Sequence, residues 1–236
     1  MKLLALDTST KSFSLAVVDN HKVLAKKDII LNKILSESIV PIIDKILAKA
    51  KVPLNKLDGF AIGLGPGSFT SLRVGLSTVK ALALVTDRPV VGIASLDAIA
   101  QAVLKDSNPE NIVVISDAKR GLVYACFYRN KNGTLLRAGK YLLQPVAEIL
   151  SKIKSPTTLA GDALVIFQKE ITQTKKAKII LAEEKLWYPK AVHLSQLAYQ
   201  KFLKKEYNDV NSLVPLYLYP EHCQVVPHGR QVQNKK

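Results

Sequence analysis

The amino-acid sequence predicts an α/β protein of two related lobes, in which each lobe contains a mixed β-sheet that starts as a strand meander and is packed by helices. Two observations predict this class. Short apolar runs bounded by polar turns alternate with longer segments of helical periodicity. The first part of this pattern then recurs 110 residues later. We place the first lobe at 1–106, a smaller second lobe at 107–219 and a flexible basic tail at 220–236.

The first lobe begins with three short strands. Apolar runs at 3–7, 12–18 and 23–30 are joined by polar turns, which predicts an antiparallel meander. A helix is expected over 33–51, and Pro41 should bend or delay it because proline lacks a backbone N–H. The remaining elements are a strand at 58–64, a helix from Phe69 to Thr86, a strand at 90–93 and a helix from Ser95, its expected cap, to about Lys105.

The second lobe repeats the meander, with strands at 112–117, 122–128 and 134–143. The Asn132-Gly133 pair between the last two strands is a strong hairpin signal. The later elements are a helix that Pro145 opens, a strand at 157–160, a helix near 162–170, a strand at 178–181 and an amphipathic helix at 189–205. For this last helix, packing against the first lobe is a second option.

The repeat is the most informative feature of the sequence. The segment LLALDTSTKSFSLAVVDN (3–20) aligns with VVISDAKRGLVYACFYRN (113–130), which superposes Asp7 on Asp117 at the exit of an apolar strand. Ligands of open α/β sheets bind beyond the strand ends. Two such loops facing each other across a cleft match the fold of actin, heat-shock chaperones and sugar kinases (ASKHA), where they hold ATP phosphates and metal. The match implies nucleotide or phosphate contacts for Asp7, Thr8, Ser9, Asp117 and Lys119.

A glycine-rich loop follows the strand at 58–64 and carries the most specific sequence signal. It is neither a P-loop nor a dinucleotide fingerprint, because no Lys-Ser or Lys-Thr pair follows the glycines and their spacing differs. Gly65 and Gly67 allow positive φ and a close backbone approach, and Ser68 can cap the next helix. The first helical turn could receive an anion. The alternative interpretation is that the loop is a tight turn whose small residues let the helix lie close to the sheet.

This loop, GPGSFTSLRVG, closely resembles the GPGSFTGLRVG hallmark of the bacterial TsaB (YeaZ) family. The resemblance extends over nearly the whole chain, through LLALDTST, VVGIASLDAIA, SDAKRGLVYACFY and VPLYLYP. Three positions depart from the family pattern. Ser71 replaces a glycine, Leu35 precedes Ser36 where a histidine is usual, and Tyr219 replaces a closing arginine.

The resemblance implies a non-catalytic subunit that binds and activates a TsaD-like catalytic subunit, which a TsaE-like ATPase joins. Such a complex transfers a threonylcarbamoyl group to N6 of adenosine 37 in tRNAs that decode codons beginning with A. Two cysteines and the expected lack of a signal peptide or membrane span favour a cytoplasmic protein, the apolar helices favour a homodimer when the chain is alone, and tRNA is expected to be met indirectly. We expect no intrinsic cofactor, and weak ATP or ADP binding is left open, in the assembled complex rather than in the free chain.

The partner surface is expected on two helices of the first lobe. The helix at 69–86 is apolar nearly all round, so it must be covered on several faces, and the helix at 33–51 is also broadly apolar. An ordinary buried core helix would show the same pattern. The predicted contact residues are Leu35, Ser36, Ile39, Phe69, Thr70, Leu72, Arg73 and Leu76.

Composition and missing motifs narrow the alternatives. The net charge of +15 comes mostly from lysine, and with six arginines and 6% aromatic residues a sequence-specific nucleic-acid reader is disfavoured. Two cysteines exclude a disulfide framework, and we expect no signal peptide and no membrane span. No His pair has metal-ligand spacing, and His193 is expected at the helix surface. An independent small ASKHA kinase or ATPase and an M22-type glycoprotease homologue stay as alternatives, with no catalytic or metal-binding residue assigned.

Overall fold

A computed structural model describes residues 1–30, 35–174 and 178–219 of the chain. The first lobe contains a five-stranded mixed sheet in the order β3-β2-β1-β4-β5. The strands β1 to β3 form the predicted antiparallel meander, whereas β4 and β5 run parallel to β1. Their bounds are β1 (Lys2–Asp7), β2 (Ser12–Asp19), β3 (Lys22–Ile30), β4 (Gly59–Gly63) and β5 (Val90–Ile93).

Three helices belong to this half of the chain: α1 (Leu35–Ala50), α2 (Phe69–Thr86) and α3 (Ser95–Ser107). Helix α1 continues through Pro41, which lies inside it. Alternate residues of the strands point to opposite sides of the sheet. Leu4 and Leu6 of β1 therefore pack with α1 and α2, whereas Leu3 and Ala5 pack with helices on the other side.

The second lobe has the same sheet topology, as the internal repeat predicts. Its sheet has the order β11-β10-β6-β7-β8, and β9 also pairs with β7. The strands β6 to β8 form the meander, and β10 and β11 are parallel to β6. The bounds are β6 (Asn111–Asp117), β7 (Leu122–Lys131), β8 (Thr134–Arg137), β9 (Leu142–Pro145), β10 (Thr157–Ala160) and β11 (Ile179–Leu181), with helices α4 (Val146–Lys152), α5 (Leu164–Thr172) and α6 (Ala191–Leu203).

The segment 134–143 is two strands rather than the single strand predicted from its apolar pattern. Strand β8 pairs with the second half of the long strand β7, from Tyr128 onward, and β9 pairs with its first half. The chain turns between them at Gly139, which has φ of +115°. Both strands run in the same direction along β7, but four residues at 138–141 lie opposite two residues of β7, and this excess interrupts the pairing.

Helices α3 and α6 connect the two lobes. The buried face of α3 packs on β6 and β7 of the second sheet, through Ile99 and Val103 among others. Helix α6 follows the second lobe in sequence but packs on the first sheet, where Leu194, Ala198 and Phe202 contact the Leu3 and Ala5 side of β1. Helix α6 thus packs against the first lobe, which was the second option considered in the sequence analysis.

The last described segment, residues 213–219, crosses from one lobe to the other, and we call it the C-terminal strap. Leu213 packs into the core shared by α1 and α2, and the backbone N–H of Leu216 donates to the carbonyl of Leu64 at 2.8 Å. At its other end, Leu218 and Tyr219 pack beside β7. The predicted tail at 220–236 lies outside the described residues.

Candidate functional site

Asp7 ends β1 and is fully buried. Its Oδ1 accepts hydrogen bonds from the backbone N–H of Ser9 at 2.8 Å and from the Ser9 hydroxyl at 2.6 Å. Its Oδ2 accepts from the hydroxyl of Ser95 at 2.6 Å. Burial raises the pKa of the Asp7 carboxyl, and the bonds from Ser9 and Ser95 partly offset the rise. All three donors come from the protein, so both carboxylate oxygens are already engaged.

The glycine-rich loop covers the turn after Asp7. Gly65 has φ of +87°, and Gly67 lies so close to the Ser9 carbonyl that a Cβ there would come within 2.1 Å of the oxygen. The N–H of Ser68 donates to this carbonyl at 2.7 Å, and the Thr8 hydroxyl donates to the carbonyl of Ser71 at 2.8 Å. The structure therefore joins Asp7, Thr8 and Ser9 with the loop in one cluster, but as packed neighbours rather than as an open phosphate cradle.

Two serines have roles that differ from the predicted helix caps. Ser95 is the first residue of α3, and Ala94 occupies the cap position. The Ser95 hydroxyl instead links Asp7 to the loop, since it also accepts the N–H of Gly65 at 3.0 Å. Ser68 does occupy the cap position of α2, but it makes no side-chain capping bond, and its hydroxyl lies 3.0 Å from that of Ser71.

The corresponding acid of the second lobe, Asp117, is arranged differently. Its Oδ1 accepts the N–H of Lys119 at 2.8 Å, and its Oδ2 forms an ion pair with the exposed ammonium of the same lysine. A second carboxylate here, Asp162, is partly buried and accepts from the Ser116 hydroxyl at 2.7 Å and from the N–H of Asp117 at 3.1 Å. Burial raises the pKa of Asp162. Sequence analysis missed this residue, although its place directly after β10 and Gly161 was a usable signal.

The residues predicted for a partner surface fall into two groups. Leu35, Ile39, Leu72 and Leu76 are buried, because their helical spacing directs them at the sheet. These four fill the core and do not line an exposed surface. Phe69, Thr70 and Arg73 are exposed, and the side chain of Ser36 is outside the described set.

An aromatic and cationic cluster marks the exposed start of α2. The guanidinium of Arg73 lies 3.9 Å from the centre of the Phe69 ring, and its Nε donates to the hydroxyl of Tyr217 in the strap at 3.0 Å. The rings of Phe69 and Tyr217 are 5.3 Å apart. A shallow groove of about 350 Å³ runs between α2 and the strap. We define the α2 face as Phe69, Arg73, Ser77, Lys80 and Leu84 at helical spacing, together with Val214 and Tyr217 of the strap.

Helix α2 is unusually apolar for its exposure. Five of its 18 residues are buried, while Phe69 is 53%, Leu84 63% and Val85 83% exposed. Within the described parts of the chain, it is the one helix that is long and apolar enough to cross a membrane, judged by length and composition alone. The sequence analysis had predicted no such segment. Here it packs against α1 and β4 of the first lobe.

Among the described residues, we looked for metal ligands, activated nucleophiles and free carboxylates. In those ranges no three His, Cys, Asp or Glu side chains come together as a metal site could require. Cys126 is buried in β7, and burial raises its pKa to about 11, which disfavours a thiolate nucleophile. Asp97 is also engaged internally, since the hydroxyls of Tyr128 and Tyr141 donate to it at 2.7 and 2.9 Å. Nothing in these arrangements activates a nucleophile or holds a cation.

Solved structures share this architecture. YeaZ from Pseudomonas aeruginosa superposes with a TM-score of 0.79 at 26% identity, covering 92% of this chain and 99% of that one. Component A of the (R)-2-hydroxyglutaryl-CoA dehydratase of Acidaminococcus fermentans shares the fold, with a TM-score of 0.52 at 11% identity. Two lobes of the same sheet topology, each with an acid at the end of its first strand, define a protein of the ASKHA class.

Comparison with protein families gives a finer assignment. The family model "TsaD: tRNA N6-adenosine threonylcarbamoyltransferase" matches residues 30–223. The TsaB protein of Buchnera aphidicola subsp. Schizaphis graminum is 31% identical over 80% of this chain and 89% of its own. That of Haemophilus influenzae is 40% identical over 52% of each chain, and that of Escherichia coli is 27% identical over 92% and 94%. The chain belongs to the TsaB (YeaZ) family.

Proposed function

We propose that this protein is a scaffold subunit in the synthesis of threonylcarbamoyladenosine in tRNA. It binds and activates a TsaD-like catalytic subunit and does not catalyse the reaction itself. Its relatives are named as tRNA threonylcarbamoyladenosine biosynthesis proteins. The structural observation behind the proposal is the α2 face, where exposed apolar and aromatic side chains are interspersed with Arg73 and Lys80. The internally engaged carboxylates of Asp7 and Asp162 are consistent with a role that does not include catalysis.

The α2 face has the composition of a protein interface. Exposed apolar patches of this kind mark interaction sites, and aromatic residues with arginine dominate the binding energy of interfaces. Phe69, Tyr217 and Arg73 already hold one another in place, so little side-chain freedom is lost when a partner covers them. Leu84 then extends the contact toward the end of the helix.

We assign this face to a TsaD-like subunit because the family model that matches the chain is that of TsaD itself. A partner of the same fold offers a related helix, and helix pairs pack through such ridges of side chains. In the free chain, the same face would be covered by a second copy, which gives a homodimer. A TsaE-like ATPase and the tRNA would then meet the pair rather than this chain alone, in the cytoplasm.

Any nucleotide is also assigned to the assembled complex. Beside Asp7, where the resemblance to ASKHA proteins implies phosphate contacts, the Ser9 carbonyl accepts the Ser68 N–H and the glycine-rich loop packs against the turn. The residues there do not fit an ATP phosphate or its metal. Weak ATP or ADP binding, if the complex shows it, would therefore use other groups, such as the exposed Lys119.

The proposal is tested by titrating this chain against a TsaD-like subunit and by reconstituting tRNA modification. Phe69→Glu should weaken the complex by about tenfold or more, because a charge replaces an apolar anchor. Val165→Glu is the matched control, since Val165 is similarly exposed but lies on α5 of the second lobe. Full tRNA modification without this chain, or equal effects of the two variants, would contradict the proposal. ATP turnover by the isolated chain would favour an independent kinase instead.

A further inference from the structure

Asp7 lies where four parts of the first lobe meet. It ends β1, and it accepts both hydrogen bonds of the Ser9 turn. Through Ser95 it also reaches the start of α3, and from there the glycine-rich loop, because Ser95 and Gly65 exchange two hydrogen bonds of 2.8 and 3.0 Å.

We infer that Asp7 is a positioning residue that fixes the first turn of α2, and with it the exposed side chains of the α2 face. Two routes lead from its carboxylate to the helix. One runs through the Ser95 hydroxyl to Gly65. The other runs through Ser9, whose carbonyl accepts the N–H of Ser68, the residue directly before α2. The effect on partner binding rests on the proposed function, whereas the effect on the loop does not.

A carboxylate suits this role because every partner of Asp7 is a donor. An ionised carboxylate offers acceptor sites only, and hydrogen bonds to a charged acceptor are the stronger kind. Asparagine at this position would turn one oxygen into an NH₂ group, which cannot accept the proton of Ser9 or of Ser95. In either orientation of the amide, one set of donors loses its acceptor: the Ser95 hydroxyl, or the N–H and hydroxyl of Ser9.

The second lobe provides an internal comparison. In its equivalent acid, Asp117, the carboxylate accepts only from Lys119 of its own turn among the described contacts, while the backbone N–H of Asp117 donates to Asp162 in the loop after β10. A serine hydroxyl there donates to a different carboxylate, from Ser116 to Asp162. The two acids thus share a position in the repeat but not a function. Ser116→Ala therefore removes a serine-to-carboxylate bond of similar length to that lost in Ser95→Ala, although it is only partly buried, at a distance from α2.

The experiment measures amide hydrogen exchange in the isolated full chain, followed by titration against a TsaD-like subunit. We expect Ser95→Ala and Asp7→Asn to speed exchange in 65–72 by about tenfold or more, and Ser116→Ala to leave that segment unchanged. Ser95→Ala should also weaken partner binding by about tenfold. Ser116→Ala should bind the partner as the wild-type chain does, although the two variants lose comparable global stability. Ser95→Ala keeps the test decisive if Asp7→Asn does not fold.

Unchanged exchange in 65–72 for the folded Ser95→Ala chain would overturn the inference. A second result would also overturn it: the wild-type chain binds ATP, and the Asp7→Asn chain does not, while hydrogen exchange in 65–72 is the same in both. Asp7 would then be a nucleotide ligand. Faster exchange in the variants, together with no binding of TsaD by the wild-type chain, would support the positioning role and count against the proposed function alone.

Discussion

The hydroxyl group of Tyr219 donates a hydrogen bond of 2.7 Å to the carbonyl of Ala118, which joins the end of the C-terminal strap to the turn after β6. The Tyr219 ring also meets that of Tyr124 edge to face, with centres 6.2 Å apart. At the other end of the strap, Leu216 is bonded to Leu64 in the first lobe. Tyr219, where the family pattern has arginine, therefore helps to fasten the two lobes together.

Tyr219→Phe should lower the free energy of unfolding by about 0.5–1.5 kcal/mol, because it removes the hydroxyl and keeps the ring. Urea unfolding followed by circular dichroism measures the change. Tyr217→Phe is the control: its hydroxyl accepts from Arg73 at the exposed surface, so the expected change is within about 0.5 kcal/mol. Equal losses in the two variants would argue against an interlobe role for Tyr219.

Two leucines of α2 should separate folding from binding. Leu72 is 2% exposed, so Leu72→Ala should cost about 2–5 kcal/mol of unfolding free energy by leaving a cavity. Leu84 is 63% exposed, so Leu84→Ala should change stability by less than about 0.5 kcal/mol but weaken the complex with a TsaD-like subunit. Denaturation and titration of both variants give the answer. A Leu84→Ala chain that binds normally would remove this residue from the α2 face.

His193 should make the stability of the chain depend on pH. It is half-buried on α6, with Nδ1 3.3 Å from Oε1 of Gln196. Burial lowers its pKa from 6.5, and the charges of Lys26 and Lys190 add to this. The unfolded chain therefore binds a proton near pH 6.5 more readily than the folded chain does. The contribution of His193 to stability is therefore most favourable above pH 6.5 and declines as the pH falls, until the folded residue is protonated too.

The measurement compares urea unfolding at pH 7.5 and pH 5 for the wild-type chain and for His193→Gln. The variant should lose less stability on acidification, and the shared titration of all other groups cancels in the comparison. An equal loss in both chains would mean that the folded and unfolded states bind this proton equally well.

Much of the fold follows from local sequence patterns. Apolar runs of four to ten residues between polar turns located the strands, and the recurrence of Asp7 at Asp117 predicted two related lobes that each begin with a strand meander. The segment after Asn132-Gly133 shows the limit of this approach. It was predicted as one strand although Arg137, Gly139 and Lys140 interrupt its apolar residues, and the pairing of β8 and β9 with different halves of β7 is a long-range choice.

The candidate site was harder to predict, for related reasons. Apolar periodicity places Leu72 and Phe69 on the same helix but does not say which side the sheet covers. Ser95 has the sequence position of a helix cap, yet a buried acid 88 residues away determines where its hydroxyl points. Asp162 follows a strand just as Asp7 does, but without a matching motif it went unnoticed. In each case the deciding contact lies far away in the sequence.

The contact between Gly75 and Thr8 gives the last prediction. A Cβ at residue 75 would lie 2.4 Å from Oγ1 and 2.9 Å from Cγ2 of Thr8, so Gly75→Ala must push α2 away from the turn after β1. In a free helix this substitution would stabilise by about 1 kcal/mol, so a loss of stability can only come from the clash. Thr8→Ala removes both colliding atoms, at the cost of the bond to Ser71. The double variant should therefore lose less stability than the sum of the losses in the two single variants. A double-mutant cycle from urea unfolding should show a difference of about 0.5–3 kcal/mol. Strict additivity would mean that the helix tolerates a side chain at this point, and that the close approach of α2 to Thr8 is not required.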